Sequence, residues 1–193
     1  MRPTLLIVTE LAPVPEIPIG RVLSSDATLA RRTAEHLAER PGTPTLTLTK
    51  NLRTWDLGQG KLEHLLAHEK EEPLGGESLE HFVTRVLGVV APLAEAMKQG
   101  SAEGAAVVVA DGRVASLLEG WRRAGCPKDG TVDAQALTEE APPVIVLEWN
   151  GSSFESPSAE PKKENAMRDY YDVLGAEVLR EMAQSGPLGF DTG

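Results

Sequence analysis

Residues 24–34 read Ser-Ser-Asp-Ala-Thr-Leu-Ala-Arg-Arg-Thr-Ala. Three short polar side chains follow the apolar pair Val22-Leu23, and a run of helix formers follows them. Ser24, Ser25 or Asp26 can accept a hydrogen bond from the first free backbone N–H groups of a helix, so a helix is expected from Ala27 to about Arg40. Leu29, Ala34 and Leu37 are expected to form its apolar face. Arg21-Val22-Leu23 then reads as the strand feeding that helix.

Working outward, Leu5-Leu6-Ile7-Val8 is a short continuous apolar run, the pattern of a strand covered on both faces. Between it and residue 21 stand Pro13, Pro15 and Pro18, which forbid a helix and favour extended backbone. Thr45 to Thr49 alternates Thr and Leu and reads as a strand. A polar helix is expected over 62–72. A longer helix is expected over 79–99, capped by Ser78 and kinked or divided at Pro92, with Phe82, Val83, Val86, Val89, Val90, Leu93 and Met97 inward. Ala105 to Ala110 is the clearest strand, Val114 to Ala124 a helix, and Val144 to Trp149 a last strand closed by an Asn150-Gly151 turn. Alternating strands and helices imply an α/β fold, a three-layer sandwich with a mostly parallel central sheet. Residues 1–150 are read as this domain. Residues 151–193 are read as a Ser/Pro/Glu/Lys-rich linker, an amphipathic helix and a tail.

The chain has 193 residues and a formal net charge of −10. That charge argues against a nucleic-acid partner and against anionic lipid surfaces, and no apolar stretch has the length to span a bilayer. Cys126 is alone, so no internal disulfide is possible. Met1-Arg2-Pro3 leads straight into an apolar run without a signal peptide. The expected location is the cytoplasm, or a virion if the chain is phage-encoded.

Several segments resemble the histidine phosphatase superfamily, the phosphoglycerate-mutase-like fold. Residues 24–34 are similar to its Ser-Ser-Asp-Leu-x-Arg-Ala-x-x-Thr-Ala segment. Leu52-Arg53-Thr54-Trp55-Asp56-Leu57-Gly58 resembles its Leu-x-x-x-x-x-Gly segment, closest to a Leu-Arg-Pro-Trp-Asn-x-Gly version in phage-encoded members. Gly75-Gly76-Glu77-Ser78, followed by Phe82 and Arg85, matches its Gly-Gly-Glu-Ser segment. Val107 to Arg113 lines up with its Val-x-Val-x-His-Gly-x strand end, and Trp121-Arg122-Arg123-Ala124-Gly125 again resembles the phage version. The resemblance runs through residues 5–149.

The resemblance implies a histidine nucleophile after the first strand, with two arginines and a second histidine cradling the phosphoryl group. At the nucleophile position stands Glu10, at the two arginine positions Thr9 and Leu29, and at the second histidine position Asp111. Leucine cannot make the bidentate hydrogen bonds of a guanidinium. A carboxylate about 4 Å from a phosphate costs roughly 4 kcal/mol at an effective dielectric near 20. The resemblance, with these departures, implies a pseudoenzyme: a catalytically inactive pseudo-phosphatase with a binding or structural and assembly role, a phage virion component among the options. No cofactor and no metal are expected on this reading. Protein partners are expected, either further copies of the chain or viral structural proteins, through Tyr170, Tyr171, Leu174, Val178 and Phe190 of the C-terminal segment, which docks in cis or in trans.

Two alternatives remain open. Glu10 and Asp111 follow strands expected to be neighbours and could support metal-assisted hydrolysis. The old cleft could also bind a regulatory ligand. His64 and His68, four residues apart, are read as part of a polar helix face rather than as metal ligands. Arg31, Arg32, Arg122 and Arg123 are read as solvated helix charges, and Cys126 as an inert thiol.

Overall fold

A computed structural model describes residues 3–9, 14, 16–40, 42, 45–99, 104–151, 154 and 155, and the apolar run at 105–110 is the centre of its sheet. The strands are β1 (Thr4–Thr9), β2 (Ile19–Ser25), β3 (Thr45–Thr49), β4 (Ala105–Ala110), β5 (Val144–Trp149) and β6 (Phe154–Glu155). They form a six-stranded sheet in the order β3-β2-β4-β1-β5-β6. β3, β2, β4 and β1 are parallel to their neighbours, while β5 and β6 are added antiparallel. All six residues of β4 are buried, as a strand covered on both faces must be. The expected α/β fold with a mostly parallel sheet is therefore present.

The period-two alternation of strand side chains splits the core into two layers. Leu5, Ile7, Ala106 and Val108 face one side, where they join α3 (Leu79–Lys98) and α4 (Gly112–Arg123) through Phe82, Val86, Leu117 and Leu118. Leu6, Val8, Val107 and Val109 face the other, against Ala30, Ala34 and Leu37 of α1 (Thr28–Ala38). Helix, sheet and helix make the three layers.

Some local expectations shift. The buried face of α1 runs through Ala30, Ala34 and Leu37, at spacings of four and three, and Leu29 is 47% exposed. Leu29 to Ala34 is a step of five, which turns the side chain away from that stripe. Ala27 is the N-cap of α1 and no side chain caps the helix; the Ser25 hydroxyl instead accepts from the Ala27 N–H at 3.2 Å. The polar helix α2 is shorter than expected, Leu62–Ala67. Beyond it come Glu69, Glu71 and Glu72, whose charges oppose the negative end of a helix dipole. α3 continues through Pro92 as one 20-residue helix, with Ser78 as its N-cap accepting from the His81 N–H at 3.2 Å. β6 was not legible as a strand in the sequence. Among the described residues no helix is long and apolar enough to cross a membrane. The C-terminal helix expected after the linker, with Tyr170, Tyr171, Leu174, Val178 and Phe190, lies outside the described residues.

Arg122 and Arg123 are not simply solvated. Both close on Glu119, which is 8% exposed: Arg122 reaches it at 2.6 and 2.7 Å and Arg123 at 3.1 Å. Arg122, opposed by burial and helped by Arg123, holds the Glu119 carboxyl below the usual carboxylate range. A depressed folded-state pKa adds stability above the unfolded value, near 4.3, and loses it as pH falls through the folded value. Glu119→Gln is therefore expected to lower Tm at pH 7, with the gap to the native chain closing below about pH 4 in thermal melts. A gap independent of pH would show that the ion pair adds nothing titratable.

Candidate functional site

β1 and β4 are neighbours with Thr9 opposite Ala110, so the side chains that end them meet at one edge of the sheet. The connection from β1 runs to β2 and that from β4 runs to β5, in opposite directions across the sheet. Such a switch point leaves a crevice outside the carboxyl ends of the strands. A cleft of about 740 Å³ lies there, lined by Thr9, Thr54, Asp111, Arg113, Ser116 and Glu139 among others.

Each lining residue has a structural reason for its place. Asp111 is the N-cap of α4, and its Oδ1 accepts from the Val114 N–H at 2.9 Å. Thr9 donates from its hydroxyl to the Pro143 carbonyl at 3.1 Å. The Ser116 hydroxyl donates to the Glu139 carbonyl at 3.1 Å. Arg123 donates to the Glu139 carboxylate at 2.7 Å and holds its pKa down.

Thr54 is carried by a loop that Arg85 organises. Its guanidinium donates to the carbonyls of Asn51 (2.8 Å), Arg53 (2.9 Å) and Thr54 (2.9 Å), and pairs with the Glu77 carboxylate through Nε and Nη2. Trp55 in the same loop donates from its indole N–H to the Glu77 carbonyl at 3.0 Å and stacks on Phe82. Arg53 reaches back to Asp26 with two hydrogen bonds, 2.7 and 2.8 Å, which lower the Asp26 pKa. The Ser-Ser-Asp, Leu-Arg-Thr-Trp and Gly-Gly-Glu-Ser segments thus meet in space although they are scattered along the chain.

Of the four expected family-site positions, Thr9 and Asp111 are brought together in the cleft. Leu29 is exposed in the first turn of α1 and is not among the residues lining it. Glu10 lies outside the described residues. Glu139, Glu140 and Ser116 line the cleft but carried no motif: they follow or sit within α4 and the 3₁₀ turn Ala134–Thr138, and only the fold brings them round to β1. Cys126 is buried, and burial pushes its thiol up to about 11, in keeping with an inert side chain.

The family model of the histidine phosphatase superfamily (branch 1) matches residues 11–129. The fold is similar to that of the α-ribazole phosphatase of Shigella flexneri, at 17% identity and a TM-score of 0.54, covering 80% of this chain and 94% of that one. It is similar to the phosphoglycerate mutase of Bacillus anthracis at 19% identity and a TM-score of 0.52, covering 81% and 92%. A mycobacterial glucosyl-3-phosphoglycerate phosphatase matches at 17% identity and a TM-score of 0.52, covering 81% and 98%. No curated protein sequence matches the chain.

These matches correct the expectation that the chain is not an enzyme. They place it in a superfamily of enzymes, on the fold shared by phosphatases and a mutase. The physical reason is that Glu10 at the nucleophile position and Thr9, Leu29 and Asp111 at the cradle positions remove one nucleophile and its phosphate ligands, not the cleft; a carboxylate at a strand end remains able to act as a general base. With the family model matching residues 11–129, more than half of the sequence, the chain belongs to the histidine phosphatase superfamily.

Proposed function

We propose that this chain is a hydrolase of altered chemistry, in which Asp111 works at the position that the family resemblance gives to its second histidine. The observation that supports the reading is the pairing of Asp111 with Thr9 at adjacent strand ends in an acidic cleft. With Glu139 paired to Arg123, Asp111 and Glu140 set against Arg113 leave the lining net negative, which would repel a bare phosphoester. A divalent cation bound on oxygen ligands, with Glu10, next to Thr9 in sequence, as the second carboxylate of this reading, would reverse that field. The Asp111 carboxylate would then take the proton of the attacking water while the alcohol leaves with a proton from solvent.

The test is turnover of a chromogenic phosphomonoester with and without Mg²⁺ or Mn²⁺. Cation-dependent turnover is expected, falling by about 10²–10⁴ in Asp111→Asn, the range of a lost general base. Asparagine is as good an N-cap as aspartate, so this variant should fold normally. No turnover above the blank with either cation, or turnover indifferent to Asp111→Asn, would overturn the reading.

A second reading, a binding or assembly role with protein partners, is favoured by the outer edge of the sheet. β3 ends the sheet, and its Leu48 is 37% exposed while Leu29 on α1 is 47% exposed. Among the described residues no strand pairs with the far side of β3, and a strand edge with apolar side chains is a template for pairing with another chain. The two segments similar to phage-encoded members would make that partner a virion protein. A monomer at all concentrations in light scattering, with no change on Leu48→Lys, would count against self-association through this edge.

A further inference from the structure

We propose that His64, His68 and Glu71 form a surface site for a zinc-class divalent cation, separate from the cleft and beyond the hydrolase reading. α2 carries His64 one turn before His68, and the two rings stack with centroids 4.3 Å apart. Leu65, 1% exposed, pins the helix to the core between them. At His68 the backbone leaves the helix, and the Glu71 N–H donates to the His68 carbonyl at 2.9 Å. That turn brings the Glu71 carboxylate back to 3.0 Å from His64 Nε2. One ligand atom from each of the three residues lies within 4.8 Å of the other two.

A hydrogen bond beside the site favours ligation. His68 Nδ1 is 3.0 Å from the His64 carbonyl. A carbonyl only accepts, so Nδ1 donates, and in the neutral ring the lone pair is then on Nε2. Metal-bound histidines are oriented in this way. Two imidazoles and a carboxylate are the donor set of zinc sites that keep a fourth position for water. Tetrahedral ligands at zinc stand about 3.3 Å apart, given metal–ligand distances of about 2.0–2.2 Å. One pair here is already at 3.0 Å, and all three side chains are exposed, so rotation of side chains alone can close the set. Hard cations such as Mg²⁺ prefer oxygen and should bind poorly.

The same geometry suits a plain His–Glu ion pair, and titration separates the two. Zn²⁺ is added to the full chain in a calorimeter, with Mg²⁺ as comparator. In the Asp111→Asn background, which sets aside any ion held in the cleft, one Zn²⁺ per chain is expected, weakened by at least about tenfold in Glu71→Gln and lost in the double variant His64→Ala/His68→Ala, since each removes a ligand to the ion. His36→Ala, on α1, should bind as the native chain does. Thermal melts without metal should leave the double variant unchanged, because both rings are at the surface. Absence of Zn²⁺ binding, or binding equal in the double variant, would overturn the site. Asp111→Asn should keep this Zn²⁺ binding, so loss of the hydrolase reading and loss of this one have different signatures.

Discussion

Gly58→Ala is expected to destabilise the fold by more than about 4 kcal/mol, in the rare class of large single-residue effects. Gly58 has φ +50°, a left-handed backbone that costs other residues roughly 1–2 kcal/mol. Space is the larger problem. A Cβ built there would stand 2.5 Å from the Leu74 carbonyl oxygen and 2.6 Å from the Gly76 nitrogen. Gly76 meets the same wall in return, 2.5 Å from the Asp56 oxygen and 2.6 Å from the Gly58 nitrogen. Both neighbours are backbone, which cannot rotate aside. The approach is locked by hydrogen bonds from the Gln59 N–H to the Leu74 carbonyl and from the Glu77 N–H to the Asp56 carbonyl.

Two glycines quoted above only as motif letters are therefore a contact pair that lets the two loops touch. Gly75 is the control: its φ is +75° but its Cβ would meet nothing. Gly75→Ala should cost only about 1–2 kcal/mol, the conformational penalty alone. Urea denaturation of the two alanine variants measures the contrast. A Gly58→Ala variant no weaker than Gly75→Ala would refute the close-approach argument.

Arg85→Ala is expected to cost about 3 kcal/mol, the low end of the range for removing one partner of a buried pair, because this pair is part-exposed. Glu77, whose side chain is 19% exposed beside Arg85, would lose its cation, and three loop carbonyls would lose their donor. Arg85→Lys should recover little of this. The planar guanidinium spans the carboxylate and three carbonyls at once, which a point ammonium on a flexible stem cannot. Because those carbonyls hold the loop carrying Thr54, the cleft should loosen too, and any cleft ligand should bind more weakly. A double-mutant cycle with Glu77→Gln in urea reports the coupling. Full stability in Arg85→Lys would mean that charge alone matters at this position.

Much of the fold was legible because its determinants are local or periodic. The runs at 5–8 and 105–110 are apolar at every position, which only a strand covered on both faces tolerates. Ser78 marks the start of α3, whereas α4 begins at Gly112, two residues before the expected Val114, with Asp111 as a cap the sequence reading lacked. Thr9 and Asp111 were singled out by the family resemblance, and they line one cleft because they stand at the ends of adjacent strands. Leu29 was misplaced because its type invited an apolar face that its spacing does not support. Glu139 and Ser116 carry no pattern, and their nearness to Thr9 depends on how the segment after α4 returns to the sheet.

By itself, the sequence determined five of the six strands among the described residues, the helices between them, the mostly parallel core and the family, through apolar runs, caps and segments that recur in order. Tertiary structure alone decided that β5 joins β1 antiparallel, that Gly58 meets Gly76, that Arg85 holds the Thr54 loop, and that Glu71 returns to His64 and His68. Most of these contacts join residues far apart in the chain. The Glu71 return is short, but it depends on where α2 stops. Their free energy depends on backbone approach and charge placement in three dimensions, which no periodicity along the chain encodes.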